Sequence, residues 1–197
     1  MRSGRLEAFS DGVLAILITI MVLELKVPHG ADWQALQHLF PVLCAYVLSF
    51  VYIGIYWNNH HHMLHTCERV TGGILWANLH LLFWLSLVPV GTDWMGENHS
   101  APLPTAIYGG VLLCAGVAYV ILQNAIIRSQ GESSKLRRLL GTDLKGKLSP
   151  VLYLLGIAAA FVHTAISQTI YACVAALWLV PDRRIEARLA ESSGSSR

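Results

Sequence analysis

Arg5, Ser10 and Asp11 are the residues near the head of this chain whose types can do chemistry, and they stand where a long apolar stretch begins. Ionisable side chains at membrane depth cost about 2.5–3.5 kcal/mol each on insertion scales, so they are kept where they pair, line water or act. Gly12 to Leu25 is apolar except for Thr19 and Glu24, so Arg5 and the triplet Phe9-Ser10-Asp11 mark the inner boundary of a membrane span. A second cluster, His60, His61, His62 and His65, offers borderline metal ligands that titrate near neutrality. Four histidines so close on one helix cannot all face one ion, and no carboxylate or thiolate has motif spacing with them. Hydrogen-bonded packing between helices is the favoured reading, a pH-sensitive network the next, and no metal is expected.

Other candidate chemistry is sparse. His80 and His163 raise the idea of a haem between two helices, but axial ligands need matched depth, and His163 lies close to a helix end. Polar bonding across helices, which Asn78 can share, accounts for them more simply. Cys44, Cys67, Cys114 and Cys173 are scattered without CxxC spacing and read as small core hydrophobes. There is no nucleophile with a base at motif spacing, no phosphate loop and no metallohydrolase pattern, so neither catalysis nor a cofactor is expected.

The elements that must position these residues are membrane helices. Hydrophobic residues make up 54% of the chain and charged residues 13%, against about 25% charged in ordinary soluble domains. A net charge of +2 is too small to argue for nucleic acid. The apolar runs predict an all-α integral membrane domain over 1–182, with helices near 8–25, 39–58, 71–92, 104–127, 149–164 and 166–181. The last two come from a single run, Pro150 to Val180, too long for one untilted span of ~20 residues. A turn near His163 to Ser167 divides it, with Pro150 in the first turn of the fifth helix and Pro181 ending the sixth. No small-residue cleavage site follows Met1 to Arg5, so the first helix is expected to stay in the mature protein. The polar segment 183–197 reads as a disordered cytoplasmic tail, and the second half shows no repeat of the first.

Charge distribution tests this arrangement. Arg2 and Arg5, Arg69, the group from Arg128 to Lys147, and the tail arginines all fall on one side of a six-span layout. Of fourteen basic residues only Lys26 falls on the other side, with Asp32, Asp93 and Glu97. The positive-inside rule then places both termini in the cytoplasm. A five-span layout would put the basic tail outside.

Arg5-x-x-x-Phe9-Ser10-Asp11, followed by Gly-Val-Leu-Ala-Ile-Leu-Ile-Thr-Ile-Met-Val-Leu-Glu-Leu, resembles the first helix of the endosomal and lysosomal potassium channel family, the transmembrane protein 175 family, in its single-repeat prokaryotic form. The segment Tyr56-Trp57-Asn58-Asn59-His60-His61-His62-Met63-Leu64-His65 is similar to that family as well. The resemblance implies a homotetramer of six-helix subunits in a prokaryotic plasma membrane, among membrane lipids, with four copies of helix one around a pore for K+ and other monovalent cations.

Helix geometry agrees with that implication. At ~100° per residue, Ile16, Ile20 and Leu23 lie within roughly 40° of one another, Thr19 about 60° from Ile16, and Asp11 about 140° away. The resemblance makes Ile16 the hydrophobic constriction, Ile20 and Leu23 further pore-facing rings, and Thr19 the residue linked to ion selectivity. It has Arg5, Phe9, Ser10 and Asp11 fasten helix one to its neighbours through Trp57, Asn58, His61 and His65. An isoleucine and leucine stripe is ordinarily packing; only the signature tips it toward a pore lining. Four isoleucines closing on an axis gate by dewetting and force a cation to shed water, which potassium does more cheaply than sodium. A potassium-preferring cation channel with a hydrophobic gate therefore leads, ahead of a haem-binding redox protein and a proton-coupled carrier.

Overall fold

A computed structural model describes residues 3–28, 30–98, 101–131, 134–140 and 144–179. Pro181 and the segment 183–197 lie outside the described residues. The described residues form helices only: α1 (Ser3–Leu23), α2 (Trp33–His65), α3 (Gly72–Ser86), α4 (Val88–Glu97), α5 (Pro102–Gln130), α6 (Lys135–Leu140), α7 (Leu144–Ala160) and α8 (Thr164–Leu179). Four helical stretches among them are long and apolar enough to cross a membrane: Ser3–Leu23, Leu39–His65, Gly72–Glu97 and Pro102–Gln130. In hydrocarbon every backbone polar group must be satisfied within the protein, which a helix does within a single segment.

Local chemistry sets the ends of these elements. The hydroxyl of Thr71 accepts a hydrogen bond from the Ile74 amide and caps α3. The stretch 71–92, expected as one helix, is broken at Leu87, because Pro89 lacks an N–H and suits the first turn of a new helix. Pro102 opens α5 in the same way, and Gly131, with φ at +63°, takes the left-handed conformation just past its end. α2 runs past its expected bounds at both ends and so carries His60 to His65 on its final turns. The run 150–180 is divided between Ala160 and Thr164, a few residues ahead of the turn expected near His163 to Ser167, and the His163 ring accepts from the Ala165 amide at the head of α8.

One expectation is corrected. Pro150 lies inside α7 rather than in its first turn, because the helix already starts at Leu144. The proline removes one backbone bond, yet the turn before it is tied down: the Ser149 hydroxyl donates to the Lys145 carbonyl (2.8 Å) and accepts from the Trp178 indole of α8 (2.8 Å). The short basic helix α6 had no counterpart in the apolar pattern; it is capped by Ser134, whose hydroxyl accepts from the Arg137 amide.

The core gathers around α5, which packs against α3, α4, α7 and α8. Tyr52, Tyr108, Tyr153 and Tyr171 are buried there, their rings 5.9–6.4 Å apart in neighbouring pairs. Each buried phenol needs a partner. The Tyr52 hydroxyl donates to the Tyr171 carbonyl (2.6 Å), and the Tyr171 hydroxyl to the Thr105 carbonyl (3.3 Å). Tyr108, Ser49 and Thr92 form a relay that ends on the Val88 carbonyl. Glycine admits the Tyr171 ring: a Cβ on Gly109 would stand 1.9 Å from its hydroxyl, and one on Gly156 would stand 2.5 Å from its Cε1.

Candidate pore helix and its anchoring network

α1 has two unlike faces. Leu6, Ser10, Leu14, Leu17 and Met21 recur every three or four residues and are buried against α2, α3 and α4. The opposite face is exposed among the described residues. Ile16 is 57% exposed, Ile20 40% and Leu23 80%, with Thr19 exposed between them. The Thr19 hydroxyl donates to the Ile16 carbonyl at 2.8 Å. Its proton is thereby committed to the helix, and its oxygen lone pairs are left for an acceptor's role on the open face.

Ser10 and Asp11 anchor the buried face. The indole N–H of Trp57 donates to the Asp11 carboxylate at 3.1 Å, which identifies Trp57, among the four expected residues of α2, as its direct partner. Ser10 enters a buried chain: His60 Nε2 donates to Asn78 Oδ1 (2.7 Å), Asn78 Nδ2 donates to Ser10 Oγ (3.0 Å), and Ser10 Oγ donates to the Leu6 carbonyl (2.9 Å). This chain of bonds joins α1, α2 and α3. One turn before Asp11, Glu7 accepts from His61 Nδ1 at 2.6 Å, and the His65 ring stands edge-on to His61 with centroids 4.9 Å apart.

Not every signature residue joins this network. Phe9 is 53% exposed and Arg5 is exposed with no ion pair among the described residues, so among these neither fastens α1 to a neighbour. Both lie within roughly 20° of Ile16 on a helical wheel, on the open face. Asn58 is exposed and makes no side-chain hydrogen bond among the described residues. Conversely, Glu7, His60 and Asn78 were not assigned to the site. The signal for Glu7 was its place one turn from Asp11, which in an antiparallel pair of helices sets it opposite a residue one turn beyond Trp57. No carboxylate has motif spacing with the histidines, and the one that meets them, Glu7, arrives from a different helix.

At the other end of α1, Lys26 pairs with Glu97 at the end of α4, and that contact holds its ammonium group above the ordinary lysine range. The histidines considered for haem are engaged locally: His80 accepts from the Trp84 indole at 2.9 Å, and His163 from the Ala165 amide.

Comparison with known proteins agrees with the signature. The profile of the family described as endosomal/lysosomal potassium channel TMEM175 matches residues 5–89, the segment that holds α1, the anchoring network and α3. A potassium channel of Chryseobacterium sp. (strain P1-3) is 55% identical over 192 residues, covering 98% of this chain and all of that one. The chain belongs to the TMEM175 family. A potassium channel of Streptomyces collinus is 38% identical over 128 residues, covering 61% of this chain and 62% of its own length. The crystal structure of a lysosomal potassium-selective channel TMEM175 homolog from Chamaesiphon minutus superposes with a TM-score of 0.78 at 26% identity, over 90% of this chain and 96% of that one. The full coverage of the Chryseobacterium relative fits a single-repeat prokaryotic member of the TMEM175 family.

Proposed function

We propose that this chain is the subunit of a homotetrameric, potassium-preferring cation channel whose pore is lined by four copies of α1. The observation that carries the reading is the open apolar stripe of α1, Ile16, Ile20 and Leu23 with Thr19 between them, opposite a face pinned to its own subunit by the hydrogen bonds of Ser10 and Asp11. The names of the bacterial relatives, potassium channels in Chryseobacterium and Streptomyces, point the same way.

In the tetramer, Ile16 forms the constriction, and Ile20 and Leu23 form wider apolar rings. A neck of isoleucine side chains empties of water when narrow and admits only ions that give up part of their hydration. The Thr19 oxygen replaces part of that shell. Glu24 and Asp93 lie near Lys26 just past the carbonyl end of α1, so the helix dipole and these carboxylates favour cations at that mouth. Residues 1–182 form the channel domain of six crossings, by α1, α2, α3 with α4, α5, α7 and α8, in the plasma membrane with both termini cytoplasmic. Conduction is passive and needs no cofactor. The test is a planar-bilayer recording with potassium on one side and sodium on the other. A reversal near the potassium equilibrium potential, shifted toward zero by Thr19→Val, is expected.

A further inference from the structure

The contact between Glu7 and His61 does more than join two helices. His65 lies one turn beyond His61 on the same face of α2, and one ligand atom from each of Glu7, His61 and His65 lies within 4.8 Å of the other two. Glu7 Oε1 and His61 Nδ1 are already 2.6 Å apart. Tetrahedral zinc with bonds of ~2.0–2.1 Å requires ligand atoms about 3.4 Å apart. Side-chain rotations at the ends of α1 and α2 cover the difference.

The geometry points to a site for one borderline divalent cation, of the zinc class, held by Glu7, His61 and His65 where α1 begins and α2 ends. Three observations favour a ligand site over a simple helix contact. The donor set, two imidazoles and one carboxylate, suits zinc-class ions and not the hard magnesium or calcium ions, which prefer oxygen. The His61 side chain is 38% exposed and that of Glu7 18%, so an ion can enter and a water can complete the fourth position. His65 has no hydrogen-bond partner among the described residues; its contact is the edge-on approach to His61. An interhelical hydrogen bond needs only Glu7 and His61, whereas a metal site also uses His65. A bound ion would clamp the first turns of α1 to α2. Binding stands apart from the channel reading, and only its effect on current would rest on that reading.

The test is calorimetric titration of tag-free, chelator-treated protein in detergent with zinc chloride. We expect saturation at one Zn2+ per subunit, undisturbed by excess Mg2+, and a metal-dependent rise in melting temperature. Loss of a partner that merely supports a ligand costs about 10–100-fold in metal affinity, so His65→Gln and Glu7→Gln should each weaken binding at least about tenfold. His65→Gln leaves the Glu7–His61 bond in place and should keep the metal-free melting temperature; His62→Gln should bind as tightly as wild type. No saturable binding to the wild-type protein would overturn the site. So would unweakened binding by His65→Gln, or an equal loss in His62→Gln. A failed channel reading has a different signature, an absent current with zinc binding intact.

Discussion

α1 and α5 are almost equally apolar, yet the bundle treats them in opposite ways. α5 is enclosed on most sides, and glycines and alanines on it bring α7 and α8 close. α1 gives one face to its subunit and leaves the other bare. Apolarity therefore does not distinguish a helix at the centre of a bundle from one at its edge. Polar pins and small residues do. On α1 the Ser10 and Asp11 bonds fix which face turns inward, and on α5 the missing Cβ of Gly109 admits the ring of Tyr171.

The comparison breaks most severely at the glycines. Gly109→Ala and Gly156→Ala each push a methyl into the Tyr171 ring, and overpacking of this kind should cost about 3 kcal/mol or more. Thermal unfolding in detergent, or loss of the monodisperse elution peak, reads this out. Gly110→Ala on the same helix meets no atom within 4 Å and should melt slightly above the wild type, since alanine favours a helix over glycine by about 0.5–1 kcal/mol.

Next comes the buried chain. Asn78→Leu leaves His60 Nε2 without its acceptor, while Ser10 keeps its bond to the Leu6 carbonyl, and the one unsatisfied buried group should cost about 1–3 kcal/mol. Asp11→Ala removes the bond from the half-exposed Trp57 and should cost about 1.5 kcal/mol. Its damage should show in tetramer yield by light scattering more than in the reversal potential of the channels that do assemble. Normal tetramers with altered selectivity would instead place Asp11 in the ion pathway.

These residues show what the sequence made legible. The hydrophobic runs located α1, α2, α5 and the division of 150–180, because apolar length is a strong signal in a bilayer. The break at Leu87 and the interior position of Pro150 were not visible, since a proline suits both a first turn and a tolerated kink. The ~100° period of a helix by itself separates Asp11 from the Ile16 stripe. By the same arithmetic Arg5 and Phe9 fall on that stripe, and the structure finds both exposed there. The roles of Glu7 and Asn78 depend on which turn of a partner helix stands opposite, and no periodicity within one helix encodes that.

The smallest expected effect on stability falls on the open face. Ile16→Asn changes an exposed side chain, so the unfolding free energy of the subunit should stay within about 0.5 kcal/mol of the wild type. An equal substitution at buried Leu14 on the other face should unfold the protein, by burying an amide without partners.

The most direct test of the account is a paired bilayer recording of wild type and Ile16→Asn, with potassium and sodium on opposite sides. Wild-type current should reverse toward the potassium equilibrium potential, and the Ile16→Asn current should be larger and reverse closer to zero. Identical conductance and reversal potential in the two proteins, with equal incorporation verified, would remove Ile16 from the constriction and α1 from the lining of the pore.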